Sequence, residues 1–247
     1  MSELKIDAVV LDVLGTLVDE PTGIRAGIRE LAPALDDSGI ERLLSLWQRH
    51  IDREQRRILD GARPYATTEV LDREAARLVA DAAGAVADAA GAVADADGAD
   101  DPAAVAALAL SGRRLPPWSD TVAGLARLAE RFPLIGLSNA SRTALLELNA
   151  HAGLRWHQAL SAEDARTYKP DPAVYELAVT VSGRPPERLL MVAAHAWDLR
   201  GAQALGLRTA YVARPVGDPP SPADRFDLHA DGLADLADQL DRSLPPQ

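Results

Sequence analysis

The stretch Ala8-Val9-Val10-Leu11-Asp12-Val13-Leu14-Gly15-Thr16 decides the fold. Four apolar residues run into an aspartate, with a glycine three positions later. A buried parallel strand breaks into a loop at its carboxyl end in this way, and in open α/β sheets that end is where ligands sit. The pattern recurs downstream. Leu134-Ile135-Gly136-Leu137 ends at Ser138-Asn139, Leu189-Leu190-Met191-Val192 ends at Ala193-Ala194-His195, and Thr209-Ala210-Tyr211-Val212 runs into a loop with four prolines. Helical segments through Val122, Leu125 and Leu128 and from Arg142 to His151 stand between them. Strand alternating with helix predicts a parallel sheet, so Asp12, Ser138-Asn139 and the loop from His195 to Asp198 converge on one edge.

Between the first strand and the rest lies a different pattern. From Thr22 to about Ala80, apolar residues fall at three- and four-residue intervals (Ile40, Leu43, Leu44, Trp47, Ile51), with a break at Ala62-Arg63-Pro64. This predicts a helical module inserted after the first strand. Asp81 to Asp101 is low-complexity: Asp-Ala-Ala-Gly-Ala-Val-Ala occurs at 81–87 and again at 88–94, with a decayed third copy from Asp95. Gly84 and Gly91 each cost a helix about 1 kcal/mol, and no large core residue is present, so the repeat reads as a tolerated surface expansion, helical or partly disordered.

Composition narrows the function classes. The 247 residues carry 26 Lys+Arg against 37 Asp+Glu, a net charge of −11 that repels phosphate backbones and anionic lipid surfaces, so nucleic acid and membrane are poor partners. With no cysteine, a disulfide framework, an iron–sulfur site and a thiolate nucleophile are excluded. No signal peptide pattern and no apolar run of roughly 20 residues is present, so the expected address is the cytoplasm. The apolar residues of the insertion could serve a homodimer as readily as a core.

Asp12 at the end of a buried strand could be a nucleophile, a metal ligand or the N-cap of the next turn. Lys169, in Tyr168-Lys169-Pro170-Asp171-Pro172, lies in a segment that cannot be ordinary helix. Facing Asp12, it would keep that carboxylate ionised.

Four segments, Asp12-Val13-Leu14-Gly15-Thr16-Leu17, Leu137-Ser138-Asn139, Lys169-Pro170-Asp171 and Ala196-Trp197-Asp198, occur in the order and approximate spacing of the haloacid dehalogenase superfamily. The chain resembles that superfamily over nearly its whole length, and Tyr175 and Trp197 narrow the likeness toward the L-2-haloacid dehalogenase branch. The resemblance implies an α/β fold with a Rossmann-like parallel sheet core (1–19 and 115–247) and an inserted helical cap domain (20–114). It implies cleavage of short 2-haloalkanoic acids through an aspartyl ester on Asp12, hydrolysed in a second step to the 2-hydroxy acid. Thr16, Ser138 and nearby amides would hold the substrate carboxylate or Asp12, Asn139 and Trp197 would line the pocket, and Lys169 would be positioned by Asp198 and Tyr175.

Leu14 bears on the main alternative, a magnesium-dependent phosphatase of the same superfamily. Phosphatase members carry a second aspartate there to protonate an alkoxide leaving group, help worth about 10²–10⁴-fold. Leucine cannot supply it, and a departing halide needs no proton. It also leaves Asp12 and Asp198 without a third charged ligand, so no metal and no other cofactor is expected. A non-catalytic binding protein on this fold is the second alternative.

Three positions depart from the dehalogenase pattern. Leu14 replaces a tyrosine. Gln48 replaces the arginine that follows a Leu-Trp pair, with Arg49 one place on and about 100° round the helix; the bland reading of Arg49, Arg53, Arg56 and Arg57 is a solvated basic face. His195 replaces an asparagine and Ala193 a serine. His195 would then donate to the leaving halide or serve as the base for ester hydrolysis. Trp47 and Tyr65 read as core of the insertion, and Trp118 as an anchor without a chemical role.

Overall fold

The structure is a computed structural model that describes residues 5–89 and 101–243. It divides into two compact units, Met1–Asp19 with Pro117–Gln247, and Glu20–Pro116.

The first unit holds β1 (Ala8–Asp12), α5 (Thr121–Ala129), β2 (Leu134–Ser138), α6 (Arg142–Ala152), β3 (Gln158–Ser161), α7 (Pro172–Ser182), β4 (Leu189–Ala193), α8 (Ala196–Ala204), β5 (Arg208–Val212), β6 (Leu228–Ala230) and α9 (Leu233–Ser243). Its six strands run in the order β3-β2-β1-β4-β5-β6, every neighbouring pair parallel. Every residue of β1, β2 and β4 is buried, because helices cover both faces of a parallel sheet, and this is why these strands read as unbroken apolar runs. Asp12 lies opposite Leu137 and Leu11 opposite Val192, which brings the ends of β1, β2 and β4 level. The order reverses at β1, with β2 on one side and β4 on the other, and a doubly wound sheet opens its ligand crevice at that switch point. Strands β3 and β6 were not anticipated. β3 exposes Gln158 and Ala159, β6 has three residues, and both lie at the ends of the sheet, where the apolar signal fades.

The second unit contains α1 (Glu20–Leu31), α2 (Asp37–Leu59), α3 (Thr68–Ala89) and α4 (Pro102–Ala109). Ile24, Ile28, Ile40, Leu43, Leu44, Trp47, Leu71, Ala75 and Val79 are its buried core. Helix α3 continues through the first copy of the repeat to Ala89; residues 90–100 lie outside the described residues, and Asp101 caps α4 by accepting the Ala103 N–H at 2.9 Å. The basic face predicted on α2 is exposed, with the Arg53 and Arg57 side chains 58% and 51% exposed, and it also carries ion pairs. Arg53, Arg57 and Arg63 converge on Glu54 at 3.0, 3.0 and 2.7 Å, because the Glu54 side chain is only 5% exposed and a buried carboxylate needs counter-charge. Gln48 and Arg49 are both exposed on α2. Among the described residues, no helix is long and apolar enough to cross a membrane.

Candidate active site

Asp12 ends β1, and the chain then turns back on itself, with the Leu17 N–H donating to the Val13 carbonyl at 2.9 Å. Gly15 makes the turn at φ +77°, a conformation that favours glycine. The Thr16 hydroxyl donates to Asp12 Oδ2 at 2.6 Å and accepts the Ala194 N–H at 2.9 Å, so one side chain links the loop after β1 to the end of β4.

Lys169 reaches the same carboxylate from the other direction. Its Nζ stands 2.8 Å from Asp12 Oδ1 and 2.8 Å from Asp198 Oδ2, with all three side chains buried. Asp198 lies in the first turn of α8, where the helix dipole favours an anion. The Tyr175 hydroxyl, from α7, donates to Asp198 Oδ1 at 2.7 Å, and the Lys169 N–H donates to Asn139 Oδ1 at 2.9 Å, which ties the lysine segment to the end of β2. Strand ends, a helix start and a proline-bracketed segment thus meet at one point.

Electrostatics follow from this packing. Burial alone would push the Asp12 carboxyl up, but the Lys169 charge and hydrogen bonding from His195 and Lys169 outweigh it and hold the group well below the usual carboxylate range. Burial pulls Lys169 down, and the carboxylates of Asp12 and Asp198 overcome it and raise the ammonium's pKa. Asp198 moves up, chiefly by burial and further by the Asp12 charge, against the pull of Lys169. Tyr175 is pushed far up by burial and by Asp198, so it stays a phenol donor. The arrangement is a buried carboxylate clamped by an ammonium and a hydroxyl.

His195 Nδ1 lies 3.4 Å from Asp12 Oδ2. Its ring packs on Gly15, where a Cβ would stand 2.6 Å from Cε1, and lies 5.7 Å from the ring of Trp197. Trp197 is 36% exposed at the start of α8, and its N–H donates to Asp218 Oδ2 at 3.0 Å. Ser138 is buried at the end of β2, its oxygen accepting the Ala140 N–H at 3.1 Å, and Leu14 is half-buried in the turn after Asp12. Tyr175, expected at the site, is fully buried with its hydroxyl on Asp198. Gln48 and Arg49 belong to the helical unit.

Two residues at this edge were not assigned to the site from sequence. Arg214 Nε donates to the Thr16 carbonyl at 2.8 Å, and Trp118 Nε1 donates to the Gly15 carbonyl at 3.0 Å. The guanidinium lies over the Trp118 ring at 5.8 Å, and Arg214 Nη1 pairs with Asp120 Oδ1 at 2.8 Å. The one available signal was an arginine two residues past the end of β5, on the edge where the other strands deliver polar residues.

A protein-family model of haloacid dehalogenase-like hydrolases matches residues 6–206. The chain belongs to that family. Within the family it is similar to (S)-2-haloacid dehalogenase H-109 of Pseudomonas putida, 29% identical over 213 residues that cover 85% of this chain and 86% of that protein. A solved defluorinating L-2-haloacid dehalogenase superposes with a TM-score of 0.81 at 30% identity, covering 96% of this chain and 95% of that one. The L-2-haloacid dehalogenase of Xanthobacter autotrophicus with chloropropionic acid covalently bound superposes with a TM-score of 0.75 at 26% identity, covering 97% and 100%. This haloacid dehalogenase-like chain therefore shares the α/β fold of those enzymes over almost its full length.

Proposed function

We propose that this chain is a hydrolytic dehalogenase of short 2-haloalkanoic acids, acting through an ester on Asp12 and giving the 2-hydroxy acid and halide. The observation that carries the proposal is the Asp12 carboxylate at the crevice edge, held ionised by Lys169 and Thr16, in a chain similar to enzymes named for this activity. One Asp12 oxygen attacks the halogen-bearing carbon in line, the halide leaves with the bonding electrons, and configuration inverts. Water then adds at Asp12 Cγ, and Lys169 receives the charge that builds on the carbonyl oxygen. The Ser138 hydroxyl and the amides beside it bind the substrate carboxylate, with Asn139 and Trp197 flanking the pocket. The helical unit Glu20–Pro116 is proposed as the cap domain.

Two features favour halide over phosphate chemistry. Leu14 offers no proton for an alkoxide leaving group. The Lys169 ammonium stands between Asp12 and Asp198, the two carboxylates a magnesium ion would need, and already neutralises charge there.

The test is halide release from both enantiomers of 2-chloropropionate, with chloroacetate and fluoroacetate alongside, in chelator. The relatives' names specify the (S) enantiomer, and release from it that Asp12→Asn abolishes is the expected result. No halide from any of these acids would overturn the proposal.

A further inference from the structure

We infer that His195 is the general base of the second step, its Nδ1 taking the proton of the water that attacks the Asp12 ester; this rests on the dehalogenase reading above. The other groups around the Asp12 carboxyl are ill suited to the task. Lys169 donates to two carboxylates at once and is held as an ammonium by them. Asp198 is wholly buried, with Lys169 on one oxygen and Tyr175 on the other. Thr16 donates to Asp12 while accepting from Ala194, and a hydroxyl is no base near neutral pH. The His195 side chain is 21% exposed, against 1% for Lys169, while its Nδ1 is buried against Asp12.

Geometry separates this role from halide capture. Nδ1 lies 3.4 Å from Asp12 Oδ2, on the nucleophile's own side. In a near-attack arrangement the attacking oxygen stands about 3–3.5 Å from the substrate carbon, and in-line displacement expels the halide from that carbon's far face. A group in contact with the attacking carboxylate is badly placed to receive it. It is well placed beside Cγ, where the hydrolytic water must approach. Gly15 fixes the orientation: the position its Cβ would take is 3.0 Å from Nε2 and 3.8 Å from Nδ1, so the ring rests its far nitrogen on the turn and presents Nδ1 to Asp12.

Charge supports the timing. Asp12 lies beside His195, with Lys169 and Asp198 behind it, and the Asp218 backbone bridges to His195. Esterification removes the Asp12 charge from beside the ring, leaving Nδ1 next to a neutral ester. The water oxygen bonds to Cγ, one water proton passes to Nδ1, and the carbonyl electrons collect under Lys169 Nζ. On collapse the bond from Cγ to the substrate oxygen breaks, the imidazolium returns its proton to that oxygen, and the 2-hydroxy acid leaves. The second water proton is lost to solvent from Asp12, which Lys169 restores as carboxylate.

The experiment is rapid-quench turnover of (S)-2-chloropropionate by His195→Asn and His195→Gln, following halide and the intact protein mass together. The expected result is one halide per site released in a burst, accumulation of the carboxyalkyl ester on Asp12, and steady turnover down by about 10²–10⁴-fold. In His195→Gly, added imidazole restores part of the second step. The burst reports a folded protein able to carry out the first step. Turnover within a few-fold of the unsubstituted protein, or loss of the burst along with turnover, would overturn the assignment. Absence of halide from the unsubstituted protein would instead overturn the dehalogenase reading beneath it.

Discussion

The Tyr175 hydroxyl stands 2.7 Å from Asp198 Oδ1 and 3.1 Å from the backbone oxygen of the same residue, so one buried phenol fixes both the carboxylate and the helix turn that carries it. Asp198 in turn holds Lys169 against Asp12. Tyr175→Phe leaves a buried carboxylate oxygen short of its donor, a loss of about 1–3 kcal/mol. Because Tyr175 is buried behind Asp198, kcat falls while KM barely moves. Urea unfolding and initial rates of halide release check both halves, and an unchanged kcat would show that Asp198 holds Lys169 without the phenol.

Lys169→Met sets two buried carboxylates against each other, and removing one partner of a buried pair costs about 3–5 kcal/mol. The sign of the pH dependence follows from the directions of the shifts. Asp12 is held below the carboxylate range, so its stabilisation is full above that range and lost only as pH falls through the lowered value. Lys169 is raised, so its stabilisation is full below the lysine range and lost only as pH rises through the raised value. Asp198, shifted upward, has the opposite sign and favours the fold less once pH exceeds the ordinary carboxylate range. The unsubstituted contribution of Asp12 and Lys169 is therefore flat between roughly pH 5 and 9. In Lys169→Met the two carboxyls share a proton, and the variant recovers stability on acidification. Denaturation at pH 5 and pH 8 should show a smaller gap between the two proteins at pH 5; an equal gap would assign the loss to packing.

Gly15→Ala places a methyl 2.6 Å from His195 Cε1 at a φ of +77°. The displaced imidazole acts on the hydrolysis step, so the ester accumulates in this variant too, while the strained turn that aims Asp12 slows the burst as well. Intact mass after rapid quench reads it directly. A variant with no ester and normal turnover would mean that the ring tolerates a shift of this size.

Much of this was legible in the chain. Strands β1, β2 and β4 announce themselves because burial on both faces demands an unbroken apolar run, and Asp12, Lys169 and Asp198 because the segments that carry them resemble, in order, those of the superfamily. What escaped depends on contacts that spacing does not encode. Arg214 binds a backbone carbonyl, which has no side-chain pattern. The pairing of the exposed α2 arginines with buried Glu54 escaped because it involves Arg63, which lies beyond the end of that helix. Tyr175 was found by its distance from Lys169, and packing adds that its hydroxyl meets Asp198 directly.

Arg214 carries the last prediction. Its Nε holds the Thr16 carbonyl and its Nη1 holds Asp120, both at 2.8 Å, while Trp118, beneath the guanidinium, holds the carbonyl of Gly15. The turn that aims Asp12 and Thr16 is thereby pinned at two successive carbonyls. Lysine is a point charge that cannot span both partners as the planar fork does, so Arg214→Lys slows the halide burst itself by about tenfold, close to 1.4 kcal/mol of barrier. Trp118→Phe removes the neighbouring donor and slows the same step. This separates the pair from His195, whose variants keep the burst and lose the hydrolysis. If Arg214→Lys and Trp118→Phe both retain the full burst rate while melting at lower denaturant, the two residues support the fold alone and the turn keeps its aim without them.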